Sequence, residues 1–302
     1  MKNLIEKIKK LKEEKNAIIL AHSYQNIEID EVADFVGDSL YLSQKAKETN
    51  ADIIVFAGVY FMAQTAKIIS PQKKVLLPNV NAGCLMADMI NHEQIVNFKK
   101  KFPELPVVCY INSTAEVKAE CDICCTSSNA LQIVKSLNAP KVLFVPDANL
   151  GKCVERELSG IEVVTYQGNC PVHHNVTIQN IIDARTKYPQ AKILIHPECK
   201  PEVSILGDYV GSTSGIIDYV KKSSEKQFVI VTEKGVADRL KRDCPDKEFI
   251  LISESMLCES MKLTTLEEIL NSLENETHEI TLSDVVREKS SLCIERMLKV
   301  SK

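Results

Sequence analysis

The sequence contains no apolar run approaching the roughly 18 residues that a membrane-spanning helix needs. It also lacks the apolar core of a secretory signal. Met1 to Asn16 interleaves Leu4, Ile5, Ile8 and Leu11 with lysines and glutamates, the pattern of an amphipathic helix. Long basic blocks are missing. Lys99, Lys100 and Lys101 form the longest lysine run and read as a solvated helix end. With a net charge of −4, nothing marks a nucleic-acid surface. No low-complexity linker interrupts the chain, so any repeated units should pack closely. These absences lead to the expectation of a cytoplasmic protein with neither a membrane nor a nucleic acid as partner. The remaining composition, 45% apolar and 26% charged over 302 residues, is enough for one large domain or two to three small ones.

Against this ordinary background stand eleven cysteines. A reducing compartment disfavours a disulfide framework. Metal ligation or catalysis gains weight, although some cysteines serve simply as small buried apolar residues.

The chain repeats itself. Apolar runs at Ala17–Ala21, Val107–Cys109 and Ile193–Ile195 end at His22, Tyr110 and His196, which are 88 and 86 residues apart. Ser39, Ser127 and Thr213 open helix-like stretches at the same offsets. Strand patterns follow at Ile53–Phe56, Val142–Val145 and Phe228–Val231. Three more, Val75–Leu77, Val163–Thr165 and Phe249–Leu251, each precede a cysteine: Cys84, Cys170 and Cys258. Strands alternating with helices imply parallel sheets covered on both faces. The expected fold is therefore α/β: three similar three-layer αβα units with short parallel sheets in a pseudo-threefold triangular arrangement. The expected boundaries are 1–84, 85–170 and 171–261. A capping-box pattern at Thr264 and Glu267 opens a helix through about Leu273, and a last helix spans about Ser283–Val300. The helices of 262–302 are expected to pack on the first unit.

In open α/β sheets, ligands bind beyond the carboxyl ends of the strands. A threefold arrangement would bring equivalent loops together, making Cys84, Cys170 and Cys258 a triangle of thiolates. Such a triangle suits a [4Fe-4S] cluster with one iron lacking a protein ligand, an iron able to act as a Lewis acid. A zinc site completed by His173 and a set of three buried cysteines are the competing readings. Cys121 and Cys124 form C-x-x-C, and a packing role suits them better than a redox role. Around the triangle, Tyr24, Asn112 and Glu198 are equivalent by the same offsets, and Glu198 is the best acid/base candidate. Ser39, Ser127 and Thr213 can act as caps, or can help helix N-termini hold anionic groups of a substrate.

Taken in order, several segments resemble the quinolinate synthase family. They include Ala21–Gln25, Gly37–Leu40, Phe61–Lys67, Ala82–Cys84, Tyr110–Ser113, Thr126–Ala130, Gly168–His173, His196–Cys199, Gly211–Gly215 and Cys258–Lys262. The resemblance implies condensation of iminoaspartate with dihydroxyacetone phosphate to quinolinate in NAD biosynthesis, around an oxygen-sensitive [4Fe-4S] cluster. An iminoaspartate-producing enzyme would be the functional partner. Cys84, Cys170 and Cys258 match the family's cluster ligands. His22, Tyr24, Ser39, Tyr110, Asn112, Ser127, His173, His196, Glu198 and Thr213 match its active-site positions. Glu198 looks like its acid/base residue, and Tyr24 like the tyrosine that positions and converts substrate. Some members carry C-x-x-C-x-x-C ending at the third ligand; here Ser255 and Ile252 stand at those places, so thiol regulation of that run cannot apply. Ser23 replaces a usual asparagine or tyrosine. Two rivals remain. One is another enzyme with three cysteines and an open iron, acting on an allylic diphosphate or forming diphthamide. The other is no enzyme but a metal-storage or electron-transfer protein.

Overall fold

The computed structural model describes residues 1–301. The chain opens with α1 (Lys2–Glu14), then β1 (Ala17–His22), β2 (Phe35–Gly37), α2 (Ser39–Glu48), β3 (Ile53–Ala57), α3 (Tyr60–Ile69) and β4 (Lys74–Leu76). The second stretch runs α4 (His92–Lys100), β5 (Val107–Tyr110), α5 (Ala115–Lys118), β6 (Ile123–Cys125), α6 (Ala130–Ser136), β7 (Lys141–Val145), α7 (Ala148–Glu157) and β8 (Glu162–Thr165). The third holds α8 (Pro171–His174), α9 (Ile178–Lys187), β9 (Lys192–Ile195), α10 (Pro201–Ser204), β10 (Tyr209–Val210), α11 (Thr213–Lys222), β11 (Gln227–Val231), α12 (Lys234–Asp243) and β12 (Glu248–Leu251). Three helices finish the chain: α13 (Glu259–Lys262), α14 (Leu266–Asn275) and α15 (Asp284–Val300).

The strands form three four-stranded sheets with the same order: β2-β1-β3-β4, β6-β5-β7-β8 and β10-β9-β11-β12. Every pairing is parallel. Parallel strands joined by helices are buried on both faces, which is why β3 and β5 are continuous apolar runs with no exposed side. Successive residues still point to opposite faces. In β11, Phe228 and Ile230 join one apolar cluster while Val229 and Val231 join another on the other side. The expected three αβα units are thus present. Among the described residues no helix is long and apolar enough to cross a membrane.

The edge strands β2 and β10, only 3 and 2 residues long, carry no sequence pattern and were not expected. The C-terminal helices separate. α14 lies against α1 and β3, with Leu266, Ile269 and Leu273 buried beside Ile8 and Ile19. α15 lies away from that face, against β6, α5 and α6 of the second sheet and α3 of the first. Its apolar stripe, Cys293, Ile294 and Met297, joins the core that contains Val108, Cys124 and Val134. An amphipathic pattern specifies a face to bury, not the surface that buries it. The capping box of α14 uses Thr265 and Glu268, one residue beyond the expected pair. The expected cap Thr264 is itself buried.

Close helix–sheet packing makes one glycine critical. A Cβ on Gly151 of α7 would lie 2.6 Å from Thr165 Cγ2 and 3.1 Å from Phe144 Cδ1. Alanine gains about 1 kcal/mol in helix propensity, but overpacking costs about 1–3 kcal/mol. Gly151→Ala should therefore lower the denaturant midpoint; an unchanged or raised midpoint would show that β8 yields without cost.

Candidate active site

All thirteen residues singled out in the sequence line one cavity. Each sheet delivers them from the carboxyl ends of its strands. His22 and Tyr110 end β1 and β5, and His196 follows directly on β9; all three are buried. In the first and third sheets the same turn follows. His22 Nδ1 accepts the Tyr24 N–H at 3.2 Å, and His196 Nδ1 accepts the Glu198 N–H at 3.3 Å. This assigns both imidazoles the tautomer with hydrogen on Nε2. Burial lowers the His22 pKa to about 4 and that of His196 to about 3. Both are neutral hydrogen-bond donors at neutral pH, so His196 is poorly suited to general acid catalysis.

That neutrality has a consequence for stability. Both folded pKa values lie below the ordinary 6.5, so the unfolded chain takes up protons first as pH falls. Their contribution is complete above about 6.5 and is lost as pH drops towards 3–4. His196→Asn keeps an acceptor for the Glu198 N–H but does not titrate. The stability gap between wild type and His196→Asn should narrow by about 2 kcal/mol from pH 7 to pH 5. A constant gap would mean that His196 takes up its proton in the fold over the same pH range as in the unfolded chain.

Glu198 is buried and well supplied with donors. Its Oε1 accepts from Tyr110 OH at 2.6 Å, and its Oε2 accepts from His173 Nδ1 at 2.8 Å. Burial alone would raise its carboxyl pKa. The surrounding imidazoles and the donated hydrogen bonds outweigh that and hold it well below the usual range. Burial, followed by the charge of Glu198, pushes the Tyr24 and Tyr110 phenols well above their ordinary value, so both are donors. Asn112 Oδ1 is buried without a hydrogen-bond partner among the described residues. An unpaired acceptor in a cavity suits a substrate N–H.

Ser39 and Thr213 are the first residues of α2 and α11, but the caps are Asp38 and Ser212 one residue earlier. Ser127 sits in a turn closed by Asn129 Oδ1, which accepts the Thr126 N–H at 2.6 Å, and α6 starts only at Ala130. Asp38 Oδ2 also accepts from Ser128 Oγ at 2.7 Å and Ser214 Oγ at 2.5 Å. One carboxylate thus ties the second loops of all three sheets together.

Another set of equivalents escaped the sequence reading. Val59, Asp147 and Glu233, 88 and 86 residues apart, stand at the N-caps of α3, α7 and α12. Glu233 is fully buried, pairs with Lys262 Nζ at 3.1 Å and accepts the Cys258 N–H at 3.3 Å. Burial raises its carboxyl pKa, with Lys262 pulling the other way. Lys262 also donates to the Tyr24 carbonyl. Arg239 of α12 donates to the Ser23 carbonyl at 2.7 Å and the Gln25 carbonyl at 3.0 Å. The third sheet's helix thereby fixes the loop that carries Tyr24.

The three cysteines differ from the other eight. Cys84, Cys170 and Cys258 are half-buried and line the cavity, whereas the rest are buried. Burial pushes the Cys84 thiol up to about 12 and raises Cys170 and Cys258. A bound cation would be needed to hold all three as thiolates. Spacing bears on which centre fits. Sulfurs on a single tetrahedral zinc stand about 3.8 Å apart, given Zn–S bonds of about 2.3 Å. These three sulfurs do not all fall within 4.8 Å of one another, a wider spacing than one tetrahedral zinc would hold. Among the described residues, Cys170, His173 and Glu198 do meet that limit, but hydrogen bonds account for their closeness. Cys121 and Cys124 lie outside the cavity; Cys124 Sγ is 3.1 Å from Cys293 Sγ under α15.

Three sheets that converge polar side chains and three thiols on one buried cavity define an α/β enzyme with its site at the carboxyl ends of its strands. Residues 6–299 match the family model described as Quinolinate synthetase A protein. The quinolinate synthase of Alkaliphilus metalliredigens is 52% identical over 298 residues, covering 99% of this chain and 98% of the relative. That of Caldicellulosiruptor saccharolyticus is 47% identical over 301 residues, covering 98% and 99%. That of Clostridioides difficile is 46% identical over 300 residues, covering 99% of each. The chain belongs to the quinolinate synthetase A family.

Proposed function

We propose that the chain condenses iminoaspartate with dihydroxyacetone phosphate, giving quinolinate, phosphate and two waters for NAD biosynthesis. One observation carries the reading: the residues matching the family's site, drawn from all three sheets, line a single cavity in which Glu198 is held ionised. Cys84, Cys170 and Cys258 fit a [4Fe-4S] cluster whose fourth iron has no protein ligand. When bound, it supplies a Lewis acid for a hydroxyl or carbonyl oxygen.

The protein's own groups do the rest. The substrates bring two carboxylates and a phosphate into a buried space. The Nε2–H groups of His22 and His196, the hydroxyls of Ser39, Ser127 and Thr213, and the N-termini of α2 and α11 offer donors for them. The Asn112 acceptor suits the substrate nitrogen's hydrogen. Glu198 takes a proton from carbon during dehydration and tautomerisation, and returns it elsewhere. Tyr110 and His173 keep its two oxygens oriented. Tyr24 lines the same cavity as a protonated phenol that positions substrate. We place the reaction in the cytoplasm, with a separate enzyme supplying iminoaspartate.

The test is direct. Anaerobically reconstituted protein given iminoaspartate and dihydroxyacetone phosphate should release quinolinate and phosphate in equal amounts. No quinolinate, with turnover of an allylic diphosphate instead, would overturn the reading.

A further inference from the structure

Five buried side chains lie together under α15, outside the cavity and sharing no residue with it. Cys109 sits on β5, Cys124 beside it on β6, Cys121 just before β6, Cys293 on α15 and Lys118 at the end of α5. Cys124 Sγ is 3.1 Å from Cys293 Sγ, although the two residues are 169 positions apart in sequence. That gap is about 1 Å longer than a disulfide bond. Cys121, the other half of the C-x-x-C pair, turns away and donates to the Val117 carbonyl at 3.1 Å. No three of the four sulfurs lie within 4.8 Å of one another, so the group is too spread for a metal site.

Lys118 sets the group apart from plain packing. Its Nζ is buried, donates to the Ser113 carbonyl at 2.5 Å and stands 5.4 Å from the centre of the Phe61 ring. A buried cation needs a counter-charge. Burial lowers the Lys118 pKa; the groups that act most against this are Cys124, Cys109, Cys293 and Cys121, with no carboxylate among them. The cation therefore favours a thiolate, first of all at Cys124. In the closed fold burial keeps the Cys124 thiol protonated, so its attack waits for α15 to lift. α15 is the last helix of the chain and takes part in no strand pairing, so it opens without breaking a sheet.

We propose that Cys124 and Cys293 are a peroxide-reactive thiol pair whose oxidation bonds α15 to the second sheet. Cys124 gives up its proton and attacks one oxygen of the peroxide. The O–O bond breaks, the other oxygen leaves as water, and Cys124 becomes a sulfenic acid. Cys293 Sγ then attacks Cys124 Sγ. The S–O bond breaks, and the hydroxyl leaves as a second water with the Cys293 proton. Two thiols are oxidised to one disulfide, and one peroxide is reduced to two waters. The site is independent of the proposed function.

The test uses full-length protein carrying its metal centre, treated with one equivalent of hydrogen peroxide under anaerobic conditions. Free thiols are then alkylated in denaturant and the digest is mapped without reduction. The map reads every cysteine separately, so loss of the metal centre does not enter the result. The peptides holding Cys124 and Cys293 should be joined, with Cys109 and Cys121 alkylated. Adding dithiothreitol to the treated wild type should lower its melting temperature by about 5 °C. Treated Cys293→Ser should show no such drop. Lys118→Met should slow the joining about tenfold; if that variant does not fold, the wild-type map alone decides. The proposal is overturned if Cys124 and Cys293 both remain alkylatable, if Cys124 joins Cys109 or Cys121 instead, or if Lys118→Met reacts as fast as wild type.

Discussion

Glu198→Gln is expected to lower turnover about 10²–10⁴-fold, with the metal centre retained and substrate binding near normal. Among the equivalent positions Tyr24, Asn112 and Glu198, Glu198 alone supplies a base at neutral pH. Asn112 does not titrate, and burial raises the Tyr24 phenol well above its ordinary value. His196 does not replace it: its neutral ring, already accepting the Glu198 N–H, carries no proton to give on Nδ1. Glutamine keeps the volume but places an amide against either Tyr110 OH or His173 Nδ1–H, both of which donate towards that site. A modest part of the loss will therefore be orientation. Steady-state kinetics together with a binding isotherm for a substrate analogue separate the two contributions. Near-full turnover in Glu198→Gln would remove the acid/base role.

The second large effect concerns the cysteines. Cys84→Ala, Cys170→Ala or Cys258→Ala should each abolish both cluster retention and activity, since each sheet brings one thiol to the cavity from the loop after its last strand. Cys124→Ala should retain both. Its thiol is buried against Cys293 beneath α15, so the cost is a small cavity and a lower melting temperature. Iron, sulfide and turnover measured on the same preparations decide the matter. A full cluster in Cys258→Ala, or an empty one in Cys124→Ala, would contradict the assignment.

The sequence made the three units readable because a buried parallel strand is an uninterrupted apolar run, as at Ile53–Ala57, and because the runs recur at one period. Polar residues just beyond those runs then pointed to the cavity, and the structure brings every one of them to it. What escaped had physical reasons. Tyr209–Val210 is too short for any periodicity to register. Two adjacent threonines, Thr264 and Thr265, both fit a cap, and only the backbone geometry chooses the second. Asp147 and Glu233 kept the repeat's offsets, but Val59 at the first of the three places disguised them. Thr232 Oγ1 meets Tyr24 and His173, 208 and 59 positions away in sequence, contacts that no local pattern encodes. The resting place of α15 likewise depends on which core has room for Cys293 and Met297, and that is a property of the packed molecule.

The most direct test of the whole account is metal and sulfide analysis of anaerobically purified wild-type protein. One shared centre held by Cys84, Cys170 and Cys258 predicts about four irons and four acid-labile sulfides per chain, with brown colour that fades in air. Stoichiometric zinc without sulfide, or protein that makes quinolinate while carrying no iron, would contradict it.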